Sequence, residues 1–181
     1  AGQRQQPPEG LAHFRGLSLL VPEEQLRPRE SSGALVDAAL AAARAAERAG
    51  GAKASALRVL DLGVGCGALL LAILREAGEG SSGTGVDIDD GAVRACRANV
   101  RRLLSPGQAA GVDVVAADFG QLDAPAVRLQ LAAEGYHVVV CNPPYRSEAQ
   151  QAAYDAASGQ FGGYTEQSRT LVAGATGLEL Y

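Results

Sequence analysis

The sequence predicts an α/β protein built on a doubly wound, mostly parallel sheet with strand order 3-2-1-4. Three observations predict it. Between Leu57 and Cys141, short apolar or β-branched runs alternate with helical stretches, the pattern of parallel strands joined by crossover helices. The first run ends in a glycine-rich turn, Gly63-Val64-Gly65-Cys66-Gly67, that opens a helix. The last run, Val138-Val139-Val140-Cys141, stops at Asn142-Pro143-Pro144-Tyr145, where the prolines forbid both helix and ladder.

The chain has 181 residues, enough for one domain with a substantial core. Its formal net charge of −4 argues against a broad basic surface for nucleic acid, and no apolar run approaches a membrane span. Cys66, Cys96 and Cys141 lie far apart without metal-ligand spacing, which favours reduced thiols in an intracellular compartment over a disulfide framework. The chain begins with alanine and contains no methionine, so a processed or partial sequence is expected.

Residues 1–13 are expected to be a disordered, Pro/Gln-rich lead-in, and 14–181 a partial catalytic domain. Phe14-Arg15-Gly16 followed by Leu17–Val21 reads as a hairpin arm ended by Pro22. Ser31 or Ser32 offers an N-cap for a helix from Gly33 to Ala49 that buries Leu35, Val36, Ala39, Leu40 and Ala43, with Gly50-Gly51 as its stop. Leu57–Leu62 is strand one and Ala68–Ala77 its helix; Gly83–Ile88 is strand two. Asp90 is expected to cap the helix carrying Ala92, Val93, Cys96, Val100 and Leu103, which stops before Pro106. Val112–Ala117 is strand three, Asp123 and Pro125 open a helix to about Ala133, and His137–Cys141 is strand four. A further helix start is placed near Glu166. Strand four is apolar on both faces, as a flanked strand should be, so the sheet is expected to continue beyond Tyr181.

Open α/β sheets bind ligands at the carboxyl ends of their strands, and here four such ends carry ligand-type residues. The glycines of the first turn let a ligand approach the backbone and the helix N-terminus. Gly63, Gly65 and Ala68 also satisfy a relaxed dinucleotide fingerprint, with Asp87 placed as a ribose-binding acid, so a nicotinamide-dependent enzyme is a rival reading. Asp61, two residues before the first glycine, favours a cofactor with a cationic amino-acid end instead, reached through ordered water. Asp118-Phe119 follows strand three, where the ring can pack on adenine. Asn142–Tyr145 closes the same edge with one amide, backbone carbonyls and a ring, a set suited to holding a planar amino group; a plain Pro-Pro turn is the bland alternative.

With these motifs the chain resembles the class I methyltransferases that use S-adenosylmethionine, and among them the HemK/PrmC family of release-factor glutamine methyltransferases. The glycine loop is a superfamily mark, and Asn142-Pro143-Pro144-Tyr145 is shared with enzymes that methylate amino groups of proteins and nucleic acids. Phe14-Arg15-Gly16, Pro28-Arg29 with Leu35-Val36, and the tail of Glu166 to Leu171, Gly174, Gly177-Leu178 and Tyr181 resemble the narrower family. Departures stand at Glu30-Ser31-Ser32-Gly33, where the family continues Pro-Arg with proline, an acid, threonine and glutamate, and at Gln167 and Thr170 in the tail.

The resemblance implies that Gly63–Gly67, including the backbone of Val64 and Cys66, wraps the methionine portion of S-adenosylmethionine. Asp61 answers its charge, Asp87 its ribose hydroxyls, and Asp118-Phe119 its adenine. Asn142, with Pro143, Pro144 and Tyr145, would hold the substrate glutamine of a release factor's Gly-Gly-Gln loop. The Asn142 side-chain oxygen and the Pro143 carbonyl would accept the two N–H bonds of that glutamine amide, and neither a metal nor a strong base is required. The implied compartment is a bacterial cytoplasm or, in a eukaryote, a mitochondrion or plastid. The alternatives are an amino-group methyltransferase for adenine N6 or guanine N2 in RNA or DNA, and a non-catalytic cofactor-binding remnant. Cys66, Cys141, His13 and His137 are read as structural, and Arg97, Arg101 and Arg102 as a solvated helix face.

Overall fold

A four-stranded parallel sheet organises the chain, with a two-stranded antiparallel hairpin packed over its helical face. The structure is a computed structural model and describes residues 10–23, 25–50, 57–143 and 147–158. The elements are β1 (Leu11–Phe14), β2 (Leu17–Leu20), α1 (Gly33–Arg48), β3 (Arg58–Leu62), α2 (Ala68–Ala77), β4 (Ser82–Asp87), α3 (Asp90–Leu103), α4 (Pro106–Ala110), β5 (Val112–Ala116), α5 (Pro125–Arg128), β6 (Val138–Cys141) and α6 (Glu148–Ser158). Sheet order β5-β4-β3-β6 is the expected 3-2-1-4, every pair parallel.

Alternation along the strands explains the layering. Val59, Val114 and Val140 point into the large core shared with α1, α2 and α3, whereas Leu60, Val86 and Val115 form a smaller cluster on the opposite face. Residues Leu122, Leu131 and Tyr136 of the β5–β6 connection cover that second cluster. Helix α2 is buried on every side from Ala68 to Leu74, as an all-apolar helix must be. Each of its fully buried leucines contributes about 1.5–3 kcal/mol. The helix lies close to β4 because Gly83 has no side chain; a Cβ there would stand 2.7 Å from Leu70 Cδ1.

The hairpin starts at Leu11, inside the stretch expected as a lead-in, and buries Phe14, Leu17, Leu19 and Val21. Its turn holds positive φ at both Arg15 (44°) and Gly16 (75°), the handedness that suits two-residue hairpins. The unfavourable Arg15 backbone is offset by its guanidinium, which pairs with Glu76 at 2.7 Å and Asp37 at 2.8 Å. This ties the turn to α2 and α1.

Several expected caps are corrected. Ser32 precedes α1, but its side chain makes no capping bond, because Glu30–Ser32 already forms a turn of 3-10 helix whose backbone leads directly into α1. Asp89 caps α3, accepting the Ala92 N–H at 2.6 Å, and Asp90 is the first helical residue. Pro106 does not merely end a helix: Ser105 accepts from Gln108 N and starts the short α4, the arrangement proline favours at N1. The helix expected from Asp123 to Ala133 shrinks to the single turn of α5, since Asp123 supplies no cap and Leu129 is 88% exposed. Two-sided burial of β6 is half met, with Val140 buried and Val139 58% exposed. The expected helix near Glu166 and the whole tail to Tyr181 lie outside the described residues, as do residues 1–9. Among the described residues no helix is long and apolar enough to cross a membrane.

Candidate active site

Ladder register brings the predicted residues to one edge. Leu62 is level with both Val86 and Cys141, and Asp87 is level with Ala116. The glycine turn, Asp87, Asp118-Phe119 and Asn142 therefore leave the sheet side by side. Pro143 is buried directly after Asn142; Pro144 and Tyr145 lie outside the described residues.

The glycine turn is held in place by its own backbone and by Asp87. The Gly63 and Val64 N–H groups both donate to the Val86 carbonyl, at 2.9 and 3.0 Å, and Gly67 N–H donates to the Val64 carbonyl at 2.9 Å. Gly65 N–H donates to Asp87 Oδ2 at 2.8 Å, while Asp89 N–H donates to Oδ1 at 3.0 Å. Asp87 thus organises the turn with one lone pair of each oxygen, and each oxygen has capacity for a further donor. Gly63, Gly65 and Gly67 all have positive φ (73°, 53° and 88°). A Cβ on Gly65 would meet nothing within 4 Å, so bare backbone faces open space there.

Gly67 is constrained on the opposite side, where a Cβ would stand 2.8 Å from Cys96 Sγ. Gly67→Ala is expected to cost about 2 kcal/mol or more, from a left-handed backbone and a clash together. Thermal melting should show the midpoint falling by several degrees, with partial recovery when Cys96→Ala removes the obstructing sulfur. A midpoint within a degree of the parent's would contradict both parts of the account.

Asp61 lies beneath the turn, 1% exposed, with Oδ2 accepting the Leu70 N–H at 3.2 Å. Its Oδ1 has no partner among the described residues. Burial pushes this carboxyl well above the usual range; the Leu70 bond opposes the shift and the charge of Asp87 adds to it. A buried acid with an unanswered oxygen is a demand for a cation or donor.

Asp118 accepts the Gly120 N–H at 2.8 Å and so caps the short turn that carries Phe119. The Phe119 ring rests on the Leu60, Val86 and Val115 cluster, with Cε1 3.8 Å from where a Gly63 Cβ would stand. Asn142 is exposed, and its Nδ2 donates to Ser32 Oγ at 3.5 Å. The departing Glu30–Gly33 segment is thereby set against the Asn-Pro-Pro loop.

Two residues of this edge were missed. Ile88 is 73% exposed between Asp87 and Asp89, and an apolar side chain flanked by two acids just past a strand end was its available signal. Ser32, assigned only as a cap, instead meets Asn142.

Burial pushes the Cys66 and Cys141 thiols up to about 11, away from the thiolate. His137 Nδ1 accepts from Arg58 N–H at 2.9 Å, at the end of β3 remote from the glycine turn. Arg97 donates to the Val114 carbonyl at 2.6 Å, and Arg102 donates to the Ser18 carbonyl. These two guanidiniums of the expected solvated face hold backbone rather than stand free.

The model of a family described as methyltransferase small domain matches residues 51–160. Among curated proteins, the chain is 35% identical over 174 residues to a release factor glutamine methyltransferase of Rhodospirillum rubrum, a match covering 95% of this chain and 45% of that protein. It is 33% identical over 137 residues to the release factor glutamine methyltransferase of Agrobacterium fabrum, covering 75% of this chain and 41% of that protein. The chain spans under half the length of these relatives. Among solved structures, the hMettl16 catalytic domain in complex with the MAT2A 3'UTR hairpin 1 aligns with a TM-score of 0.51 and 20% identity, over 90% of this chain and 48% of that one. At that identity the likeness is one of fold.

Proposed function

This chain belongs to the methyltransferase small domain family, and from that premise we propose that its protein methylates the side-chain nitrogen of a glutamine in a peptide-chain release factor. The observation that carries the reading is the register that brings the glycine turn, Asp87, Phe119 and Asn142 out at one sheet edge, with Asp61 buried beneath the turn. The names of the Rhodospirillum and Agrobacterium relatives support the choice of substrate.

The residues present fit S-adenosylmethionine. Bare backbone at Gly65, the unanswered Asp61 Oδ1 and the spare lone pairs of Asp87 offer complementary groups for an ammonium-bearing nucleoside. Phe119 and the exposed Ile88 offer apolar surfaces for its base. When bound, the cofactor supplies a methyl group already activated by a sulfonium centre.

The chain's remaining task is to aim and stabilise a poor nucleophile. An amide nitrogen shares its lone pair with its carbonyl, so transfer needs that lone pair freed and directed at the donor. Asn142 Oδ1 has no partner among the described residues, since Nδ2 is the atom turned to Ser32. It is free to accept one substrate N–H, and the Pro143 carbonyl the other. Both acceptors stabilise positive charge as it develops on nitrogen. Pro144 and Tyr145 complete the proposed loop, with the ring packing on the flat amide.

The test is transfer of labelled methyl from S-adenosylmethionine to a release factor containing its Gly-Gly-Gln loop, with RNA and DNA as parallel acceptors. Label on the loop glutamine is the expected result; label on nucleic acid alone would overturn the substrate. Release factors act wherever translation does, so the reading suits a bacterial cytoplasm, a mitochondrion or a plastid.

A further inference from the structure

Asn99 on α3 is 0% exposed, yet every hydrogen-bonding position of its amide is filled. Its Oδ1 accepts the Leu20 N–H at 2.9 Å and an Arg102 N–H at 3.4 Å. Its Nδ2 donates to the Leu20 carbonyl and to the Cys66 carbonyl, both at 2.9 Å. The two bonds with Leu20 treat the side chain as if it were the peptide of a neighbouring strand, continuing the hairpin on the side away from β1. The last bond reaches the middle of the glycine turn.

That bond fixes an orientation the turn cannot fix alone. The peptide between Cys66 and Gly67 has its N–H held by the Val64 carbonyl, and Asn99 holds its oxygen. Clamped at both ends, the peptide cannot rotate, and the flanking left-handed glycines keep their backbone turned toward the open edge. No other side chain does this. Aspartate offers no donor for the two carbonyls, glutamine is a methylene too long for a site already filled, and leucine leaves three backbone groups unpaired.

We infer that Asn99 is a positioning residue that couples the N-terminal hairpin to the glycine turn, so that the hairpin helps set affinity for the cofactor. The hairpin lies outside residues 51–160, the part matched by the family model. The inference rests on the functional reading above.

Two measurements test it, both using S-adenosylhomocysteine as the probe. In the unaltered protein, binding should slow hydrogen exchange at the Leu20 amide, which Asn99 connects to the turn by hydrogen bonds. In Asn99→Ala, calorimetry should show roughly tenfold weaker binding. The variant's KM for S-adenosylmethionine should rise similarly, with kcat at saturation within twofold of the parent's. A folded variant with unchanged affinity overturns the coupling, as does a Leu20 amide indifferent to the probe. If Asn99→Ala does not fold, the exchange measurement on the unaltered protein decides. If the unaltered protein binds no S-adenosylhomocysteine, the functional reading fails and the coupling with it; binding with no response at Leu20 removes the coupling alone.

Discussion

Asn142→Ala is expected to lower methyl-transfer turnover by about 10²–10³-fold at saturating cofactor while changing affinity for S-adenosylhomocysteine by less than about twofold. The asymmetry follows from where the residue stands. Asn142 is exposed beyond the end of β6, and among the described residues its side chain meets only Ser32, in a long contact, so truncation removes little packing. On the proposed function, what is lost is an acceptor for a substrate N–H, and its value lies mostly in the transition state, where nitrogen becomes positive. Single-turnover rates on a release factor, measured beside calorimetric affinity for S-adenosylhomocysteine, separate the two effects. Unchanged turnover would remove Asn142 from the reaction.

Asp61→Asn is expected to act in the opposite sense on stability and on binding. The neutral amide keeps an acceptor for the Leu70 N–H but cannot offer a charge to a cationic cofactor, so affinity for S-adenosylmethionine should fall by about 10–100-fold. Without ligand, the variant should be the more stable protein at high pH. The sign follows from linkage. Burial raises the folded-state pKa of Asp61, so its protonated form is favoured in the fold. The corresponding stability is fully present below the ordinary carboxylate pKa of about 4 and is lost as pH rises through the raised value. Asparagine does not titrate. The gap between the melting midpoints of variant and parent should therefore widen from pH 5 to pH 9, each unit of raised pKa being worth about 1.4 kcal/mol. A gap that stays flat would show that Asp61 carries no such burden.

The sheet was readable because its signals are local and redundant. Valine runs, the glycine turn and Asn-Pro-Pro each name a strand or its end, and together they determine the order found. Caps were less readable because neighbouring candidates are chemically alike. Asp89 and Asp90 differ only in which one precedes the helix, and that is decided by backbone geometry. Asp123 and Pro125 suggested a helix to about Ala133, but of residues 123–133 Leu131 is the one that packs on the second cluster, and one turn of helix survives.

Site residues followed the same division. Asp61, Asp87 and the glycines were legible from spacing, whereas their mutual work was not. Nothing in the sequence says that Asp87 already accepts Gly65 and Asp89, or that Asn99 reaches across 79 positions to Leu20. Hydrogen bonds of that range depend on packing of whole elements, and no periodicity encodes them. Ser32 was assigned a local duty for the same reason, while its hydroxyl meets a residue 110 positions away.

The pairing of β6 with β3 also acts as a ruler. Leu62 opposite Cys141 sets how far Asn142 projects beyond the glycine turn, and strands advance about 3.3 Å per residue. A slip by one step would turn Val140 out of the core and Val139 into it, which the buried face forbids. A slip by two would preserve burial yet move Asn142 by about 6.6 Å, more than the reach of a methyl transfer. On the proposed function, donor-to-acceptor distance is thus gauged in whole ladder rungs, with the valines of β6 excluding the one-rung error.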